Sequence, residues 1–138
     1  MDYATLKAEL LADPLGLGYA APWVEGSDWQ LADLLNAVRP SIAVDRGVIP
    51  SYEIINATVP AEWASLSAAE KQRYQTLTGA GQVDSAHANV RAAFLAMFAA
   101  GTATRTALAA LASRPGSRAE QLLGGSVSMQ DVARARTV

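Results

Sequence analysis

The chain contains no cysteine and a single histidine, His87. The first absence excludes disulfides and thiolate metal sites. The second leaves too few ligands for the His- and Cys-based sites that hold zinc. Lack of cysteine also suits a reducing interior. Long apolar runs are missing too. The most apolar stretch, Val90 to Leu111, is broken by Arg91, Gly101 and Arg105. A bilayer span needs about 20 predominantly apolar residues with few charges. The stretch reads as a pair of buried helices, and no membrane partner is expected. The opening residues, MDYATLKAELLADP, lack the apolar core of a secretory signal.

What the chain has is alanine, about a fifth of its residues. Alanine loses no side-chain entropy in a helix and lets helices approach closely. A length of 138 residues indicates one domain. The composition therefore predicts an all-α fold, a compact bundle of short helices. One segment departs from it. Residues 41–50 hold Ile42, Val44, Val48 and Ile49 around Gly47, which predicts a short strand, a β-ribbon or an extended arm. An isolated hairpin is marginal in water, so such a segment needs helices or another chain to pack on.

Periodicity and capping place the helices. Tyr3, Leu6 and Leu10 share one face of a helix over 3–12, which Pro14 stops. The loop Pro14–Tyr19 then pins Leu15, Leu17 and Tyr19 into the core. Ser27 with Gln30, Ser67 with Glu70, and Ser117 with Glu120 read as capping boxes. They open helices from 28 to about 39, from 68 to about 78, and from 118 to 123. Short helices are predicted at 51–57 and, with Pro60 at its first position, at 61–66. The longest helix is expected over 86–100, with Val90, Phe94, Met97 and Phe98 as the centre of the core. Gly101 ends it and Thr102 caps the next, to about Ser113. Pro115-Gly116 reads as a turn, Gly124-Gly125 as a hinge, and Ser128 starts a last helix through Arg136.

No constellation carries catalysis. Acids in first turns (Asp28, Glu53, Glu62, Glu70 and Glu120) favour the helix dipole and need no chemical role. His87 has no orienting partner, and Ser85 lies on the wrong side of a helix to serve it. Gly16 and Gly18 lack the strand and the GKS or GxGxxG pattern of a phosphate loop. No catalytic, cofactor or metal site is expected, and the chain reads as a non-enzyme. The helices either side of Gly101 resemble a helix-turn-helix only in outline, since the second offers Arg105 and small residues to read bases. Trp23, Trp29 and Trp63 are either core flanks or interface anchors.

Charge is unevenly spread. Residues 1–100 hold six bases and eleven acids, a net −5, while residues 101–138 hold five arginines against Glu120 and Asp131, a net +3. Arginine makes forked contacts to carboxylates and phosphates. A basic C-terminal region thus packs on an acidic body, its own or a neighbour's. Arg114, Arg118, Arg134 and Arg136 with Val138, and Ile42, Val44 and Val48 from the β-branched segment, are the candidate partner contacts.

Three segments taken together carry a resemblance: Asp13-Pro14-Leu15-Gly16-Leu17-Gly18-Tyr19, Ser117-Arg118-Ala119-Glu120-Gln121-Leu122, and Asp131-Val132-Ala133-Arg134-Ala135-Arg136. Their combination resembles small structural proteins of long-tailed bacteriophages. That group carries arginine where this chain has Leu17, so the resemblance assigns no charged role there. It implies a virion component assembled in the host cytoplasm, and within that class a head–tail adaptor ringing the portal. It implies a helical body over 1–125, a basic tail with a short helix over 126–138, and no cofactor. The implied partners are copies of itself, the portal or other neck and tail proteins, with passing contact with DNA. A tail-tip or fibre-attachment subunit, and a small DNA-associated regulatory module, are the alternative readings.

Overall fold

The computed structural model describes residues 1–138. In chain order the elements are α1 (Tyr3–Ala12), α2 (Ala20–Glu25), α3 (Asp28–Asn36), β1 (Arg39–Asp45), β2 (Val48–Pro50), α4 (Ser51–Ala57) and α5 (Pro60–Ala64). They continue as α6 (Ala68–Thr78), β3 (Gln82–Asp84), α7 (Ala88–Met97), α8 (Ala103–Leu111), β4 (Ser113–Gly116), α9 (Arg118–Leu123) and α10 (Met129–Thr137). The chain is mainly helical, 59% of residues, with four short strands in two two-stranded sheets. It is therefore not all-α. The β-branched stretch does form strands, but β1 and β2 do not pair with each other. β1 pairs with β4, and β2 runs antiparallel to β3 with Ile49 opposite Val83. Gly47, at φ 78°, breaks the run between them.

The chain divides into two units, residues 1–44 with 115–138, and residues 45–114. Unit 1 is thus built from both ends of the sequence. Leu6 and Leu10 on α1, Leu31 and Leu35 on α3, and Val132 on α10 are all 2% exposed or less. Ala119 and Ala135, both fully buried, are the small residues of this core. Each leucine so buried contributes about 2 kcal/mol before entropy is counted.

Polar side chains tie unit 1 across long sequence separations. Arg118 grips Glu9 with two hydrogen bonds, Nε to Oε1 and Nη2 to Oε2, each 2.7 Å. That fork holds the guanidinium above its ordinary value. Arg136 donates to Asp28 at 2.6 Å and to the Trp23 carbonyl at 2.8 Å, and lies 4.1 Å over the Trp23 ring. The Asn36 amide donates to the Val127 carbonyl and accepts from the Val127 N–H, pinning the segment before α10.

The glycines after α1 also have a local reason. Asp13 ends the helix at φ 40° and turns its carboxylate onto the N–H groups of Leu17 (2.7 Å), Gly18 (2.8 Å) and Tyr19 (3.3 Å). Gly16 and Gly18 supply the positive φ angles, 66° and 92°, that aim those donors at one point. Tyr19 is pinned into the core, Leu17 packs at its edge, and Leu15 stays 49% exposed.

Unit 2 has a smaller core of Ile49, Ile54, Tyr74, Val83, Met97 and Phe98. Tyr74 meets Phe94 and Phe98 edge-on, at 6.4 and 6.3 Å between centroids, and its hydroxyl shares a 2.8 Å hydrogen bond with Thr58. The start of α8 is anchored through Thr104, which is fully buried. Its N–H and hydroxyl both donate to the Glu62 carboxylate at 2.8 Å, and its oxygen accepts from Val59 N–H.

Several boundaries differ from the sequence reading. The Ser67 and Ser117 capping boxes form, as does one at Ser128 with Asp131, but the Ser27 side chain makes no cap bond. Helix α2 falls between the loop and the Ser27 start, where no element was expected. The helix expected over 86–100 covers only Ala88–Met97, since residues 85–87 turn out of β3 and Phe98 is extended, and α6 is the longest helix. Pro115-Gly116 lies in β4. Position 116 has no room for a side chain there, since a Cβ would meet the Val44 side chain at 2.5 Å. Residues 126–138 belong to unit 1, where α10 packs on α1 and α3 and buries Val132 and Ala135.

Candidate functional site

The most developed concavity lies within unit 2. Helix α7 buries only Met97 and α8 only Thr104. Their apolar residues Val90, Phe94, Leu108 and Leu111 are half-buried and line an open cleft of about 350 Å³, floored by Ile49 and Ile54. Two short side chains, Ala109 of α8 and Ala112 just beyond it, line the cleft and leave space there unfilled. Leu95 stands 50% exposed at the margin.

Charged groups at the cleft are few and mostly committed. Arg91 donates to the Ser85 carbonyl and pairs with Asp45 at 2.5 Å. The Ser85 hydroxyl is bound to the Gly47 carbonyl at 2.8 Å, so no base is poised to activate it. Arg105, half-buried at the cleft, pairs with no carboxylate of the chain. The arrangement suits holding an apolar group with a negative flank. No three His, Asp or Glu side chains gather where a metal could be held. No helix is long and apolar enough to cross a membrane.

A second surface feature belongs to unit 1. At the corner between α2 and α3, Val24 is 85% and Trp29 57% exposed. Glu25 and Asp33 are exposed beside them in sequence and hold no basic partner. Trp23 and Trp63 instead flank the cores of their own units, with Lys71 lying 4.9 Å over the Trp63 ring.

The candidate partner contacts fall in both units. Arg118 and Arg136 are engaged inside unit 1. Arg134 is exposed and donates to the Tyr3 hydroxyl at 3.3 Å, which holds it above its ordinary value. Val138 is 60% exposed. Ile42 is 3% exposed and so a buried residue, while Val44 is half-buried against Gly116. Arg114 is exposed in β4, and Val48 is 51% exposed in β2. His87 sits exposed at the start of α7 and makes no side-chain cap bond.

The sequence reading missed the cleft because it assigned Val90 and Phe94 to the core centre. A signal was present: Arg91 and Arg105 interrupt the most apolar stretch of the chain, where a closed core tolerates no unpaired charge. Comparison with protein-family models, with curated proteins and with solved structures finds no match to this chain.

Proposed function

We propose that the chain is a non-enzymatic assembly subunit of a tailed-phage particle, a head–tail adaptor that rings the portal. The cleft of unit 2 carries the reading. It gathers apolar side chains around an unfilled volume and leaves one arginine unpaired, which is how a receptor for a protein side chain is built. Resemblance of the Asp13, Ser117 and Asp131 segments to phage structural proteins supplies the class of assembly. All three segments are structural in unit 1: an anchored loop, a capped helix with a buried ion pair, and the helix that covers the core. The DNA-associated alternative loses support, because Arg118 and Arg136 already face carboxylates within the chain.

Native mass spectrometry of the purified chain, alone and mixed with a candidate portal protein, tests the reading. A stoichiometric complex with the portal is expected. A chain that ignores the portal, or that shifts DNA in a gel with a steep salt dependence, overturns it.

A further inference from the structure

We propose that copies of this chain join head to tail, with the Trp29 corner of one copy seated in the unit 2 cleft of the next. This rests on the assembly-subunit reading and names the two surfaces it uses. The corner has the character of an anchor. Gly26, at φ 74°, turns the chain between α2 and α3 and leaves Val24 and Trp29 in solvent. Trp29 and Asp33, four residues apart, share the outward side of α3, while Leu31 and Leu35 face the core. Tryptophan is the residue most enriched where a few side chains carry binding, and it does so by filling a pocket on the partner. At 350 Å³ the cleft lies at the small end of ligand-sized pockets, room for one large aromatic side chain and little else.

Charge sets the orientation. The anchor carries two carboxylates without basic partners, Glu25 and Asp33. The cleft carries the unpaired Arg105, while its other arginine, Arg91, is held by Asp45. Arginine and carboxylate pair in a forked geometry that fixes register, and excluding water strengthens the bond. A symmetric pairing of cleft on cleft sets Arg105 against Arg105, and corner on corner sets acid against acid. Only the unlike surfaces complement each other. Such a contact is heterologous: every copy keeps one free anchor and one free cleft, so assembly continues until a ring closes.

Three proteins test this by sedimentation velocity over a concentration series: the parent chain, Trp29→Ala, and Ala109→Trp. Ala109 lines the cleft on the exposed side of α8, so tryptophan there fills the cleft and leaves the core alone. The parent is expected to self-associate, and each variant to weaken that association about thirtyfold. Mixing the two variants is the decisive measurement. One retains a working cleft and the other a working anchor, so the mixture forms 1:1 pairs and nothing larger. Such pairing also shows that both variants are folded.

A parent chain that stays monomeric overturns the proposal, and so does Trp29→Ala assembling like the parent. Folded variants that fail to pair when mixed also overturn it. Failure of the broader reading looks different. Self-association that depends on Trp29 with no portal binding removes the adaptor role and leaves the head-to-tail contact standing. Portal binding without Trp29-dependent association does the reverse.

Discussion

Unit 1 holds Leu6, Leu10, Leu31 and Leu35 at 2% exposure or less, whereas unit 2 leaves Val90, Phe94, Leu108 and Leu111 half-buried around an open cleft. Both units are alanine-rich, so composition does not account for the difference. Placement does. In unit 1 the alanines that matter, Ala119 and Ala135, lie among leucines and a valine that fill the space around them. In unit 2 Ala109 and Ala112 stand at the cleft itself, where no larger side chain fills the space. Both units carry polar cross-links, Thr104–Glu62 and Arg91–Asp45 among those of unit 2. Unit 1 joins its distant segments through Arg118–Glu9, Arg136–Asp28 and the Asn36–Val127 clamp. Unit 2 keeps Arg105 uncommitted. A surface left both apolar and unpaired is open to a partner, and a closed one is scaffold.

The largest test of that contrast is truncation after Gly125. It removes Val127, Val132 and Ala135 from the core of unit 1, together with the partners of Asp28 and Asn36. Hydrogen exchange is expected to show lost protection throughout α1 and α3, with the amides of 45–114 unchanged. Intact protection in α1 shows that α10 is dispensable, and the contrast fails. Next in size is Glu9→Ala. It strands the Arg118 guanidinium, whose side chain is only 15% exposed, and costs about 3–5 kcal/mol in urea unfolding. The matching change in unit 2, Glu53→Ala opposite Arg46, breaks a pair closer to solvent and loses markedly less. Smaller again is a pair of leucine deletions. Leu35→Ala costs about 3 kcal/mol, and Leu108→Ala at the cleft about 1 kcal/mol. Equal losses mean that the cleft is packed like a core.

Much of unit 1 was legible in the sequence. Tyr3, Leu6 and Leu10 announce α1, and the serine box at 117 marks a helix start to the residue, as the box at 67 does in unit 2, because capping is local chemistry. Strand partners were not legible. The β-branched residues of β1 and β2 predict strands, but nothing local says that their partners lie at 113–116 and 82–84. The short α7 has a local cause as well: the chain turns at 85–87 on leaving β3, so the helix starts at Ala88, and it stops where Phe98 is extended. The arginines were expected to pack on an acidic body, the chain's own or a neighbour's. Arg118 and Arg136 answer the chain's own Glu9 and Asp28, acids 109 and 108 residues away. No spacing rule pairs residues at that distance. The cleft was missed for the converse reason. An apolar stripe in sequence shows which residues avoid water, and only packing shows whether enough neighbours arrive to cover them.

The finest test uses acid. Burial works against the charged form of Asp13, but the N–H groups of Gly18, Leu17, Tyr19 and Gly16 outweigh it and hold the carboxyl below its ordinary value. Glu62 in unit 2 is held low as well, first by the Thr104 N–H and then by its hydroxyl. A carboxyl with a lowered value in the folded chain stabilises fully above the ordinary carboxylate range. That contribution falls as pH drops below the unfolded value, and it is gone once pH passes through the folded one. Asp13→Asn keeps the shape and removes the charge, so it is expected to lower Tm by about 4 °C at neutral pH. The gap between parent and variant narrows steadily as pH falls through the acid range, because the parent loses there what the variant never had. Glu62→Gln behaves alike, with the loss read in unit 2 amides and not in those of unit 1. A gap that stays constant with pH means that the Asp13 loop is held by its glycines alone and the carboxylate adds nothing. The end of α1 then owes its form to backbone freedom, and unit 1 has one fewer polar anchor to set against the open cleft.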